Sequence, residues 1–376
     1  MKTKILSSIL LGLALMVSSC GDGAPAPSTE PATGWVIGQS NAKDYSPTAK
    51  ILKTGDGGAT WTLQTLPADS VGFNGNDISA VNNLVAWAAL GDLYGVAGGI
   101  LHTADGGTSW KWQVLPAGLA SNHRHIKSIK AVSPTEAWAV SILGDVLHTI
   151  DAGEHWAIVA VKEANGNIIA MQQVNRMDVT GQNIWIANAM SGNFSVVHSA
   201  DAGVTWRQEL LPNADAGSGL MAISEFDSSV AWAAVHNEGY LWGTSDGGTS
   251  WTKSRDYISG GTDFDDICAS SANVVWVAQN NGISSGGVAA RITVTNGNFV
   301  TNSYANVNYN LEGISAMSDN RTAWVVGMKT IFAAAALAQG AIYFTRDGGV
   351  TWQLQAMPDN AQDVSLWKVS FVGARR

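Results

Sequence analysis

The sequence predicts an all-β fold: a seven-bladed β-propeller of four-stranded antiparallel blades, closed by the C-terminal strand joining the N-terminal blade. Three observations predict it. The pattern T/S-x-D-x-G-x-x-W occurs six times, at 54–61, 103–110, 149–156, 199–206, 244–251 and 345–352. A Trp-centred apolar strand occurs seven times: GWVIG (34–38), AWAAL (86–90), AWAVS (137–141), IWIAN (184–188), AWAAV (231–235), VWVAQ (275–279) and AWVVG (323–327), the tryptophans 44 to 52 residues apart. The two ends of the chain complement one another. Self-similarity at this period, with room for four short strands per unit, marks propeller blades.

Residues 1–19 carry Lys2 and Lys4 ahead of a mostly apolar run and end on small residues, which predicts a secretory signal rather than a membrane helix. The ending V-S-S-C resembles a bacterial lipobox and implies lipidation of Cys20. Residues 20–34, rich in Gly, Pro, Ser and Thr, are the expected tether to a folded body at 35–373. In the second unit, ISAV (78–81), AWAAL, GGILHT (98–103) and WKWQVL (110–115) read as strands one to four. The sixth unit has its Trp strand but no Asp pattern; TVTNGNFV (293–300) stands in its place, with Asn296 and Gly297 as the remnant. The apolar insertion at 328–341 reads as a short helix over the rim. The first unit starts at Trp35 without a first strand, while SLWKVSFVG (365–373) is a first strand with nothing after it. Pairing the two completes the ring and removes its open edges.

The formal charge is −9, or −11 once Lys2 and Lys4 are removed, so the chain is not a nucleic-acid binder and would meet a membrane only through its lipid anchor. Cys268 is the one cysteine besides Cys20; in its apolar context (ICA) it reads as a small buried hydrophobe, and the fold must be held by core burial.

The repeated pattern sits where a hairpin must join strands three and four. Asp56, Asp105, Asp151, Asp201, Asp246 and Asp347 can each turn a carboxylate back onto backbone N–H groups, with the preceding Thr or Ser in the same network and glycines supplying positive φ. The Trp that ends each pattern starts strand four and can bury its ring. Six equivalent positions on six blades cannot converge on one ligand, so these aspartates are assigned a structural role. The same holds for His102, His148 and His198, each directly before its pattern.

These residues resemble the Asp-box (BNR) repeat. Seven units, a lipoprotein-like leader and strands such as GWVIG together resemble the photosystem II assembly and stability factor family of seven-bladed propellers. That resemblance covers nearly all of 35–373 and implies binding to a protein assembly intermediate. Asp boxes also occur in glycoside hydrolases, sialidase-like or glucan-cleaving, which would require two carboxylates flanking one bond.

With the Asp boxes on one face, ligand contacts are expected on the other, from loops leading into strand one and loops joining strands two and three. The candidate binding face is Tyr94, His123, Arg124, His125, His236, Glu238, Tyr257, Asp263, Asp265, Asp266, Tyr304, Tyr309 and Glu312. Asp263, Asp265 and Asp266 are read as a solvated loop before blade six, or alternatively as catalytic carboxylates with Glu312 or Glu238. His123 and His125 are a minimal metal pair without a third ligand, and no metal or cofactor is expected. The reading adopted is a monomeric, non-catalytic, lipid-anchored binding propeller of the bacterial cell envelope, facing the periplasm or the exterior. It would hold a protein partner at or near the membrane; the alternative is an Asp-box glycoside hydrolase.

Overall fold

A computed structural model describes residues 32–40, 47–190, 193–212, 220–235, 239–254, 263–280, 286–295, 298–307, 309–329 and 339–373. The leader, the lipidation position and most of the tether therefore lie outside the described residues, as do Asn296, Gly297 and residues 330–338. Seven four-stranded antiparallel sheets form the ring. Blade 1 is assembled from both ends of the chain, its innermost strand Val364–Phe371 pairing with Gly34–Ser40 as the sequence predicts. The other innermost strands are Asn74–Ala80, Ile126–Ala131, Val174–Thr180, Leu220–Glu225, Asp263–Ser271 and Asn310–Ala316, in blades 2 to 7.

The core is divided into seven wedges, one between each pair of neighbouring blades. Each wedge holds the Trp of one blade's second strand together with the aromatic ring that opens the next blade's fourth strand. Trp35–Trp110, Trp87–Trp156, Trp185–Trp251 and Trp276–Trp352 meet edge to face, with ring centroids 5.7, 5.7, 5.9 and 6.2 Å apart. Trp138 and Trp206 share one wedge, and Trp324 and Trp61 another. In the unit without an Asp box, Phe299 takes the place of the Trp and meets Trp232 edge-on at 5.6 Å. Such contacts add roughly 0.5–1.5 kcal/mol each beyond the area they bury.

The Asp-box turns hold these rings in place. Thr54 Oγ1 donates to Asp56 Oδ1 at 2.7 Å and accepts from Gly58 N–H at 2.9 Å. Asp56 in turn accepts from the Thr60 N–H at 2.9 Å and the Thr60 hydroxyl at 2.7 Å. The same core of bonds recurs at Asp105, Asp151, Asp201, Asp246 and Asp347, with His155 donating in place of a hydroxyl at Asp151. The side-chain and backbone hydrogen bonds of Thr60 hold Asp56 down at about 2, and those of Ser109 do the same for Asp105. The glycine two residues after each Asp is needed twice over. Gly203 has φ +82°, and a methyl group there would lie 3.0 Å from the Trp138 ring of the preceding blade. His102, His148 and His198 stack on Trp87, Trp138 and Trp185 at 3.8, 3.7 and 3.6 Å, three equivalent structural positions.

Three sequence expectations need correction. The fourth strand of blade 2 is shorter than WKWQVL suggested, only Lys111–Trp112, and Pro116 just beyond it has no N–H to extend the pairing. The 328–341 insertion does not read as helix at its ends: Met328 and Lys329 finish one strand and Gln339–Ala341 begin the next. The segments NSYANV (302–307) and NLEG (310–313), read as loop, are strand.

Three outcomes follow for the fold. Truncation near residue 360 removes the innermost strand of blade 1, so cooperative thermal unfolding should be lost outright rather than merely shifted. Gly203→Ala should cost about 1–3 kcal/mol in a denaturant melt, since it puts a side chain at positive φ against an indole. Acid should act through the Asp boxes. Their folded pKa lies below the ordinary 3.8, so the stability they supply is complete above about 4 and is lost as pH falls toward about 2, which a melting series over that range would record.

Candidate functional site

Each of the seven innermost strands carries one extra residue at the same place. The pairing of blade 2 passes from Gly75 to Asp77 and skips Asn76; the skipped residues elsewhere are Trp367, Lys127, Asn175, Met221, Asp265 and Glu312. A bulge bends its strand and re-aims a side chain. Seven at one level form a ring about the axis, on the end of the propeller away from the Asp boxes. A cavity of about 600 Å³ opens there. Asn76, Lys127, Asn175, Asp265, Glu312 and Trp367 line its floor, and its wall includes Gln39, Asn74, His125 and the Asp92–Gly95 turn.

One step deeper, the axis is closed by charge. Arg176 Nη1 lies 3.3 Å from Asp77 and its Nη2 3.5 Å from Asp266, while Lys368 Nζ is 3.1 Å from Asp266. Beneath these, Lys130 bonds Asp178 at 2.9 Å. Only about 80 Å³ remains open at this level. The same positions staple blade to blade: Ser79 Oγ accepts from Ala131 N–H at 3.0 Å, Asp77 from Ile129 N–H at 3.0 Å, and Ser224 Oγ from Ala269 N–H at 3.0 Å. Ser370 and Ser315 do the same toward Ala80 and Phe371. Cys268 occupies this ring too, buried as its apolar context predicts, and burial pushes its thiol up to about 12.

Low dielectric shapes the floor. Burial raises Glu312 to about 7, countered by the charge of Lys127, and burial lowers Lys127. Burial also raises Asp266 to about 6, against the pull of Arg176. His125 is depressed mainly by burial; its ring lies 3.1 Å from Asn76 Nδ2 and 3.6 Å from Asp92.

Of the candidate face, Tyr94, His125, Asp265 and Glu312 come together around this cavity. Asp266 does not belong to a solvated loop: it is buried within a strand and engaged by two cations. His123 bonds Asp145 at 2.8 Å, so the two histidines take different partners. Arg124 precedes the innermost strand of blade 3 and is not among the lining residues. Tyr309 packs edge-on against Tyr343 at 5.8 Å instead of lining the cavity. Tyr304 falls in the outermost strand of blade 6, on the rim. Asp263 opens the innermost strand of that blade. Nothing is described of the side chains of these last two, and His236, Glu238 and Tyr257 lie outside the described residues. Among the described residues, Asp151, Glu154 and His155 are close enough to share an ion, yet His155 already donates to Asp151 at 2.7 Å as the hydroxyls do in other turns.

Sequence reasoning missed Lys127, Asn76, Asn175, Trp367 and Arg176. A signal for them existed. Aligned on the Trp strands, NDIS (76–79), KSIK (127–130), NRMD (175–178), DDIC (265–268), EGIS (312–315) and WKVS (367–370) share one polar-to-apolar rhythm. The first member of each is a bulge residue, and the second and fourth are axial.

Residues 26–200 match the family described as photosynthesis system II assembly factor YCF48. Among solved structures, YCF48 bound to D1 peptide is similar at 18% identity and TM-score 0.52, with 74% of this chain and 80% of that one covered. YCF48 from Cyanidioschyzon merolae is similar at 18% identity and TM-score 0.55, covering 86% of this chain and 96% of that one. The GH74 xyloglucanase from Xanthomonas campestris reaches TM-score 0.56 at 13% identity, covering 92% of this chain but 55% of that one. A search of curated proteins found no match. At such identities the structural likeness carries the fold alone.

The floor charges define a measurable property. Glu312 and Asp266 hold protons in the fold that an unfolded chain releases near 4.5 and 3.8, so their contribution to stability falls as pH rises through about 6 and 7. Glu312→Gln should therefore melt higher than the parent at pH 8 and no higher at pH 4.

Proposed function

Taking the chain as an Asp-box propeller resembling the YCF48 family, we propose that it is a non-catalytic binding or assembly factor that holds a segment of a protein partner in the axial funnel. The observation that carries this reading is the ring of seven bulges. It builds a preformed concave site on rigid strands, of a size suited to a short stretch of chain. Its lining is mixed: Lys127 shares the floor with the carboxylates of Glu312 and Asp265, one indole and several amides. Main-chain amides and side chains of either charge can be met there. Tyr94, 85% exposed at the rim, suits a protein contact. The partner named for a similar propeller, a D1 peptide, fits this class of ligand. Lipidation at Cys20 and attachment to the cell envelope belong to the same proposal.

A hydrolase reading has one observation in its favour: Glu312, raised to about 7, shares the cavity with Asp265 as a general acid and a second carboxylate would. The two readings separate experimentally. Crosslinking and affinity capture from the native membrane should recover a partner whose affinity drops about tenfold or more on Lys127→Glu, equivalent to about 1.4 kcal/mol. Glu312→Gln should leave some binding intact. Recovery of no partner, together with glucan or sialoside turnover that Glu312→Gln abolishes, would reverse the assignment.

A further inference from the structure

Six blades end in outer strands of two to four residues. In four of them a proline, Pro67, Pro116, Pro212 or Pro358, follows within four residues, and three carry charge, at Lys111, Arg207 and Lys253. Short length, proline and charge are the ordinary means of blunting a sheet edge. Blade 6 has none of them. In this blade, which lacks an Asp box, the third strand Gly287–Thr295 pairs with an outermost strand of ten residues, Asn298–Val307. From Ile292 to Leu311 the chain has no charged residue and no proline. Among the described residues no strand pairs with the outer side of Asn298–Val307. Val300 is 49% exposed on it.

We infer that this edge is an interface for a second copy of the chain, joined by antiparallel pairing of the two blade 6 outer strands about a two-fold axis. Charge argues for this occupant. Each copy carries a formal −9, so the repulsion between two copies is least along an uncharged segment, and this edge is one. Symmetry argues for it as well. The ladder inside blade 6 shifts register once, at Asn302, dividing the edge into Asn298–Thr301 and Ser303–Val307. Full antiparallel overlap sets the axis between Asn302 and Ser303, so each run faces the other run of its mate and the two irregularities meet at the axis. Like surfaces related by a two-fold axis make a closed dimer rather than a fibre. Thr301, Asn302 and Ser303 at the axis bring no like charges together. This contact lies on the rim and leaves the funnel free, so it stands apart from the reading of that site.

Sedimentation equilibrium across a concentration series tests it. The parent should pass from monomer to dimer, while Val300→Lys and Asn302→Lys, with unchanged thermal melting, should weaken association by about tenfold or more. In a Cys20→Ser chain, whose remaining Cys268 is buried, Asn302→Cys should oxidise to a covalent dimer and Val204→Cys, exposed on another blade, should not. A parent that stays monomeric, a dimer indifferent to both lysines, or an edge that pairs with a different polypeptide instead of its own copy would overturn the inference.

Discussion

The edge-on meeting of one blade's second-strand Trp with the ring that opens the next blade's fourth strand is the contact on which this propeller depends. No blade has a core of its own. Each four-stranded sheet is amphipathic only in the sense that both of its faces must be covered by neighbours, and the tryptophans are the largest surfaces so covered. The Asp box serves that contact. Its carboxylate gathers the turn, the glycine two residues after the Asp lets the backbone lie over the preceding indole, and its Trp then falls into the wedge. What reads as a turn motif is thus an inter-blade device. Phe299 shows which part is indispensable: blade 6 has lost the Asp box but kept an aromatic ring in the wedge.

Along the axis a different problem is solved. Seven innermost strands converge there, and backbone N–H groups of one blade face the side chains of its neighbour. Ser and Asp at alternate positions accept from them, which explains why residues such as Asp77, Ser79 and Asp178 are buried without loss, while Lys368 donates to the Glu312 carbonyl. Arg176, Lys368 and Asp266 close the passage, so the funnel above is a blind site rather than a pore. The bulges turn their own extra residues out of this network and into the cavity. Axial staples and cavity lining therefore share the same strands, with blade-to-blade bonds below and the bulge residues above.

How much of this was legible differs between fold and site. The blade count, the role of the aspartates, the stacked histidines and the ring closure follow from local pattern, because each rests on residues close in sequence or repeated at fixed steps. Tyr94 and His125 were legible as cavity residues because loop position in a known topology implies a face, whereas Asp265 and Glu312 reach the same cavity from strand bulges. Asp266 was misplaced: it is one residue beyond Asp265, and a bulge separates a funnel side chain from an axial one in a single step. Lys127 and Asn76 went unseen because the rhythm that marks a bulge residue shows only when the innermost strands are aligned blade against blade. Tyr304 and Tyr309 were assigned to loops because the missing Asp box hid how far the blade 6 strands extend.

The sequence by itself determined the architecture, since the turn chemistry, the period and the buried tryptophans are local properties copied from blade to blade. It determined as well where the copying stops, in the unit whose Asp is absent. Only the tertiary structure decided which side chains meet on the axis and which look into the funnel. That depends on the register of seven strands drawn from the whole length of the chain, and a one-residue shift exchanges a buried ion pair for a binding surface.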